Sequence, residues 1–269
     1  MANRNKKLHY VAGCFRQTVS IKSLFLIMGV SMCICLDTWN QIPFLWSEQS
    51  TITAYYYLFN SITYGGTYMP YLMPVFAACA YAVSYVKETS GGMKPYLVGR
   101  IGYGGYAAGK IVVSTVSGGL TAAMGIIVFC VVAGYFKPLY EWEEGVNALY
   151  YSQPDSAHGI IYIGILIYLT MLSGMLWSMV SLLCSSYFEN IYIAIASPLL
   201  CSYLLTRIYV YLDIPNAYRL DYWLSGRDGV GSDKELLIWT TCRVLLIIMI
   251  MAFLFYRRIK KRESGGEHV

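Results

Sequence analysis

The stretch GRIGYGGYAAGK, Gly99 to Lys110, arranges glycines and a lysine as a phosphate-gripping loop would. Such a loop needs G-x4-G-K followed by Ser or Thr, because the hydroxyl ligates magnesium, and it sits between a buried strand and a helix. Gly104, Gly109 and Lys110 meet the spacing, but Ile111 follows and the magnesium ligand is missing. A dinucleotide fingerprint fails as well: Gly102 and Gly104 are followed by Ala107, and no strand pattern precedes them. The other reactive residues are dispersed. Cys14, Cys33, Cys35, Cys79, Cys130, Cys184, Cys201 and Cys242 include no C-x-x-C pair and have no histidine at metal-ligand spacing, so they read as small buried apolar residues. His9, His158 and His268 fall outside or at the edge of the apolar runs, which excludes haem held by paired intramembrane histidines and an H-E-x-x-H metalloprotease. Glu141, Glu143 and Glu144, and Asp221, Asp228 and Asp233, read as solvated loop charge. No catalytic, cofactor-binding or metal site is expected.

The elements that must position these residues are membrane helices. Hydrophobic residues make up 57% of the 269 and charged residues only 13%, against about 25% charge in a soluble domain. Uncharged runs of about 20 residues suffice to cross ~30 Å of hydrocarbon at ~1.5 Å per residue. The pattern predicts one all-α transmembrane domain over 1–269, with six spans near 21–40, 66–86, 111–135, 159–183, 190–211 and 236–256. The uncharged run 49–86 is too long for one straight helix. Splitting it at Gly65-Gly66 leaves TITAYYYLF as an aromatic segment at the membrane interface, with two spans in this run as the alternative. Leu8, Val11, Phe15 and Val19 recur at helical spacing opposite Arg16, Gln17 and Lys22, which predicts an amphipathic helix on the inner surface before span one. No small-residue cleavage site follows the first apolar run, so a retained anchor is expected.

Charge sets the expected orientation. Fourteen of the twenty basic residues lie at the two ends of the chain or between spans two and three, on one side of a six-span layout. The positive-inside rule therefore places both termini and the glycine stretch in the cytoplasm, and the basic excess implies no nucleic-acid partner. Asp37, Arg207 and Arg243 fall within spans, where an unpaired charge costs about 2.5 to 3.5 kcal/mol. Arg207 is placed to snorkel. Arg243 is expected to pair with Asp37 or to line a polar route between helices.

Between spans two and three the chain runs SYVKETSGGMKPYLVGRIGYGGYAAGKIVVSTVSGG. An acidic-x-x-Gly start, a short polar segment and a lysine opening span three resemble the permease subunits of type-2 ABC exporters of Gram-positive bacteria. Glu88, Gly91, Arg100, Tyr106, Lys110 and Gly118 carry the resemblance. Many relatives have Pro-x-Ser-Arg in this loop where this chain has GRIGYGG. The resemblance implies a coupling helix that docks on a separate cytoplasmic ATPase, with ATP and magnesium bound by that partner. It also implies a second permease copy or paralogue across the translocation path, in a bacterial plasma membrane. Tyr96, Tyr103 and Tyr106 are amphipathic anchors of the kind enriched at interfaces. A membrane-spanning exporter subunit is thus expected, not an enzyme in its own right. The alternative is a non-transporting scaffold or sensor that recruits an ATPase or kinase.

Overall fold

The computed structural model of the protein describes residues 2–45, 53–139, 159–226 and 233–264. Every regular element among them is helical. The α-helices, in chain order, are α1 (Ala2–Thr18), α2 (Ile21–Asp37), α3 (Ala54–Leu58), α4 (Tyr68–Cys79), α5 (Val83–Ser90), α6 (Lys94–Phe136), α7 (Gly159–Tyr187), α8 (Ile191–Tyr211), α9 (Leu220–Ser225) and α10 (Asp233–Ser264). Four of them, α6, α7, α8 and α10, are long and apolar enough to cross a membrane, or six spans result if each bent pair, α1–α2 and α4–α5, counts as one. Helices suit that setting because hydrocarbon offers no partner for an exposed amide or carbonyl, so each segment must satisfy its own.

The expected second span, 66–86, is not one straight helix. Its hydrogen-bond ladder tightens at Ala80–Ala82, where the Ala80 amide reaches Ala77 O and the Ser84 amide reaches Tyr81 O, three residues back instead of four. The axis turns by 41° between α4 and α5. Ala54, Tyr57 and Leu58 of α3 are fully buried against Val30, Ala122 and Ile126, so this segment packs within the bundle. Its leading amides are held by Pro138 O and Leu139 O, and the Tyr57 hydroxyl donates to Gln41 O at 2.7 Å.

Helices α6 and α7 form the most extensive pair and the middle of the bundle. More than half of the apolar stretch of each is buried, against about a fifth in α8 and α10, which places the latter two at the periphery. The α6–α7 crossing depends on small residues. A Cβ on Gly118 would stand 2.4 Å from Ser178 Cβ, and one on Gly174 would stand 2.6 Å from Gly118 O. Beside them the Ser114 and Ser178 hydroxyls lie 2.9 Å apart, and Ser178 donates to Ser114 O at 2.8 Å. At the other side of α6, Gly125 receives Val30 of α2, and Ser31 donates to Gly125 O at 2.5 Å.

One end of the bundle gathers α1, the α5–α6 connection, the α7–α8 turn and the last turns of α10. Tyr10 of α1 lies against Gly109, Tyr256 approaches Gly104, and Arg262 pairs with Glu189. Helix α1 packs here through Tyr10, Val11, Cys14 and Phe15 around Tyr81 and Val113. Val19, expected on that face, is 81% exposed, because the chain breaks at Val19–Ser20 and α2 leaves at 57°. The opposite end carries α3, the α2–α4 junction and the segment 212–226.

Candidate functional site

The polar stretch between α5 and α6 forms an elbow. Gly91 and Gly92 close α5, the Gly91 amide bonding Lys87 O at 3.0 Å, and Pro95 in the first turn then favours a new helix. That helix runs from Lys94 to Ile101 and stops at Gly102, whose φ of 76° and ψ of 152° interrupt α6. This backbone region is essentially restricted to glycine. The helical path resumes at Tyr103 and enters the bundle.

Residue spacing on the short helix divides it into two faces. Lys94, Leu97, Val98 and Ile101 turn inward against the bundle at i, i+3, i+4 and i+7. Tyr96 is 83% exposed; Met93, Arg100 and Tyr103 share its outward side. Tyr96, Arg100 and Tyr103 are therefore presented together. Tyr106 is not: it is fully buried one turn before Lys110.

Glu88, Tyr106 and Lys110 instead form a closed polar cluster beneath the elbow. The Lys110 ammonium donates to Glu88 Oε1 at 2.6 Å, to Ser84 Oγ at 2.9 Å and to the Tyr81 hydroxyl oxygen at 3.0 Å. All three of its protons are thereby used, as a fully buried ammonium requires. The Tyr106 hydroxyl donates to the other carboxylate oxygen, Oε2, at 2.9 Å. The ring of Tyr81 sits 4.6 Å from the ammonium, and Tyr10 of α1 packs on Tyr106 with ring centroids 6.1 Å apart. The pair joins the end of α5 to the start of the membrane-crossing part of α6, and so clamps both ends of the elbow.

Tyr81 and Ser84 were not singled out by sequence reasoning, although a signal was there. Tyr81, Ser84 and Glu88 follow at i, i+3 and i+7, and Tyr106 and Lys110 at i and i+4, each set on one helix face. Tyr10 carried no such signal, because its contact with Tyr106 joins positions far apart in the chain.

The expected pairing of Asp37 with Arg243 is not formed. Asp37 ends α2 and its carboxylate receives the amides of Thr67, Tyr68 and Met69 at 2.6, 2.7 and 2.9 Å, with the Ser61 hydroxyl at 2.9 Å. It caps the N-terminus of α4, where the helix dipole favours a negative charge. Gly66 lets the chain come this close, since a Cβ there would lie 2.4 Å from Asp37 Oδ2. Arg243 stacks on Trp223, 4.5 Å from guanidinium carbon to ring centroid, and donates to Ala217 O at 3.3 Å. Arg207 lies over Tyr203 at 5.0 Å on the exposed side of α8. Each charge has found a local partner.

Among the described residues no three His, Cys, Asp or Glu side chains gather as metal ligands would. Glu141, Glu143, Glu144, Asp228 and His158 lie outside the described residues. Fold and site together define a polytopic helical bundle with a clamped, glycine-hinged elbow. No family model, no curated protein and no solved structure matches the chain.

Proposed function

We propose that this chain is the membrane-spanning permease subunit of an ATP-driven ABC exporter, with the elbow as the surface that engages a separate cytoplasmic ATPase. The observation that carries this reading is the division of labour at the elbow. The outward face of 94–101 offers Tyr96 and Arg100, while Glu88 and Lys110 fix its two ends to the helices behind it. A push on Tyr96 and Arg100 is then delivered to α5 and α6 together, because neither end can yield without separating a buried ion pair. The basic residues of α1, the elbow and the end of α10 favour a cytoplasmic position for this end in a bacterial plasma membrane. The chain itself holds no nucleotide in this scheme; ATP and magnesium belong to the ATPase subunits, and a second permease copy or paralogue completes the path.

The test is purification of the full chain from its native membrane with an affinity tag. An ATPase subunit is expected to accompany it, and Tyr96→Ala with Arg100→Ala is expected to uncouple ATP turnover from transport without lowering the unfolding temperature of the permease. Labelling of Tyr96→Cys by a membrane-impermeant thiol reagent in intact cells would overturn the proposal, since it would place the elbow outside.

A further inference from the structure

At the end of the bundle opposite the elbow a half-open cavity of about 260 Å³ lies between α4, α7 and α8, flanked by the segment 219–225. We infer that it is a binding site for a zwitterionic amphiphile. This inference stands apart from the elbow and holds whatever partner the elbow engages.

Helical cores pack with few voids larger than a water molecule, so a space of this size is a feature to be explained. The cavity is open on one side, and the apolar part of its wall is Met69, Met73, Trp177, Leu205, Leu220 and Leu224. The hydroxyls of Thr170, Ser202 and Thr206 already donate to carbonyls of their own helices, at 2.8, 3.0 and 3.0 Å. An occupant with an apolar body fits this wall.

The polar side is equally defined. Arg219 donates to Asp221 through both Nε and a terminal nitrogen, at 3.3 and 2.7 Å, in the forked geometry that is strong for this pair. Asp221 holds the guanidinium above its ordinary, already high pKa, chiefly through this hydrogen bond, so it stays charged. The face of Tyr222 lies 4.4 Å from it. Two guanidinium donors are engaged and three remain, while the carboxylate oxygens keep spare lone pairs. The pair has no net charge. It can therefore receive an anionic group on Arg219 and an ammonium on Asp221 at once, whereas a ligand of single charge would bring an unbalanced charge into a half-buried site.

The test uses the full chain in nanodiscs of phosphatidylglycerol, which carry no zwitterionic lipid. The probe is an alkyl phosphoethanolamine with a diazirine in its chain; the same chain with a phosphate or a trimethylammonium head serves for comparison. Photo-adducts mapped by peptide mass are expected to saturate and to fall on Met69, Met73, Leu205 and Leu220, with the zwitterionic probe favoured by about tenfold. Ser173→Trp, which fills the cavity, is expected to remove them; Thr206→Trp serves if that variant does not fold. Competition by phosphatidylethanolamine identifies a bilayer lipid as the natural occupant, and lack of competition identifies a free amphiphile. Unsaturable labelling spread over exposed faces such as Phe25 and Met249, equal labelling by all three probes, or labelling unchanged in both tryptophan variants would overturn the inference.

Discussion

Glu88 Oε1 and Lys110 Nζ lie 2.6 Å apart across an excursion of the chain that leaves α5 and returns in α6. Both are buried, so removing either partner leaves the other charge uncompensated, a loss of about 3 to 5 kcal/mol. Glu88→Gln and Lys110→Met are each expected to lower the unfolding temperature strongly. The double variant is expected to lose clearly less than their sum. Thermal unfolding of the purified chain in one detergent measures the cycle, and simple additivity would contradict a direct pair.

Gly102 is the second feature the elbow depends on. Its φ is 76°, and a methyl group placed on it would meet nothing within 4 Å, so the obstacle to Gly102→Ala is backbone strain and not space. That strain costs about 1 to 3 kcal/mol. Gly99→Ala, inside the short helix and equally open, is expected to be neutral or to stabilise by about 0.5 to 1 kcal/mol. A lowered unfolding temperature for Gly102→Ala beside an unchanged or raised one for Gly99→Ala is the readout.

Asp37 and Arg243 serve different junctions. Asp37→Ala frees three amides at the start of α4 and is expected to cost about 2 kcal/mol, the upper part of the range for a helix cap. Arg243→Ala loosens the segment held through Trp223 and Ala217. Combined, the two losses are expected to add, within about 0.5 kcal/mol. Coupling beyond that would mean the charges interact after all.

The α6–α7 crossing gives a fourth expectation. Gly118→Leu forces a side chain into Ser178 and the Gly174 carbonyl, and overpacking of this kind costs about 1 to 3 kcal/mol or more. Gly164→Ala, on α7 with nothing within 4 Å, is the matched control and is expected to leave the unfolding temperature unchanged or slightly higher.

Residues 111–136 carry no charge, and an uncharged run of that length marked them as a membrane-crossing helix. The same holds for α7, and nearly so for α8 and α10, whose apolar runs are broken only by Arg207 and Arg243, because transfer of about 20 largely apolar residues from water is decided within the segment itself. A polar stretch between the second and third spans was legible from the same local signals, but the two faces of its short helix were not assigned. Three further things were not legible. Tyr57 reads as an interfacial aromatic, yet it is buried, because backbone partners at Pro138 and Leu139 draw its segment into the bundle. Asp37 reads as an intramembrane charge with Arg243 as its candidate partner, yet four donors around the start of α4 surround it. Tyr106 reads as a surface anchor, yet it closes the cluster on Glu88. Hydropathy reports the cost of moving a residue out of water; which distant group meets that cost is fixed only when helices dock, and only the tertiary structure decides it.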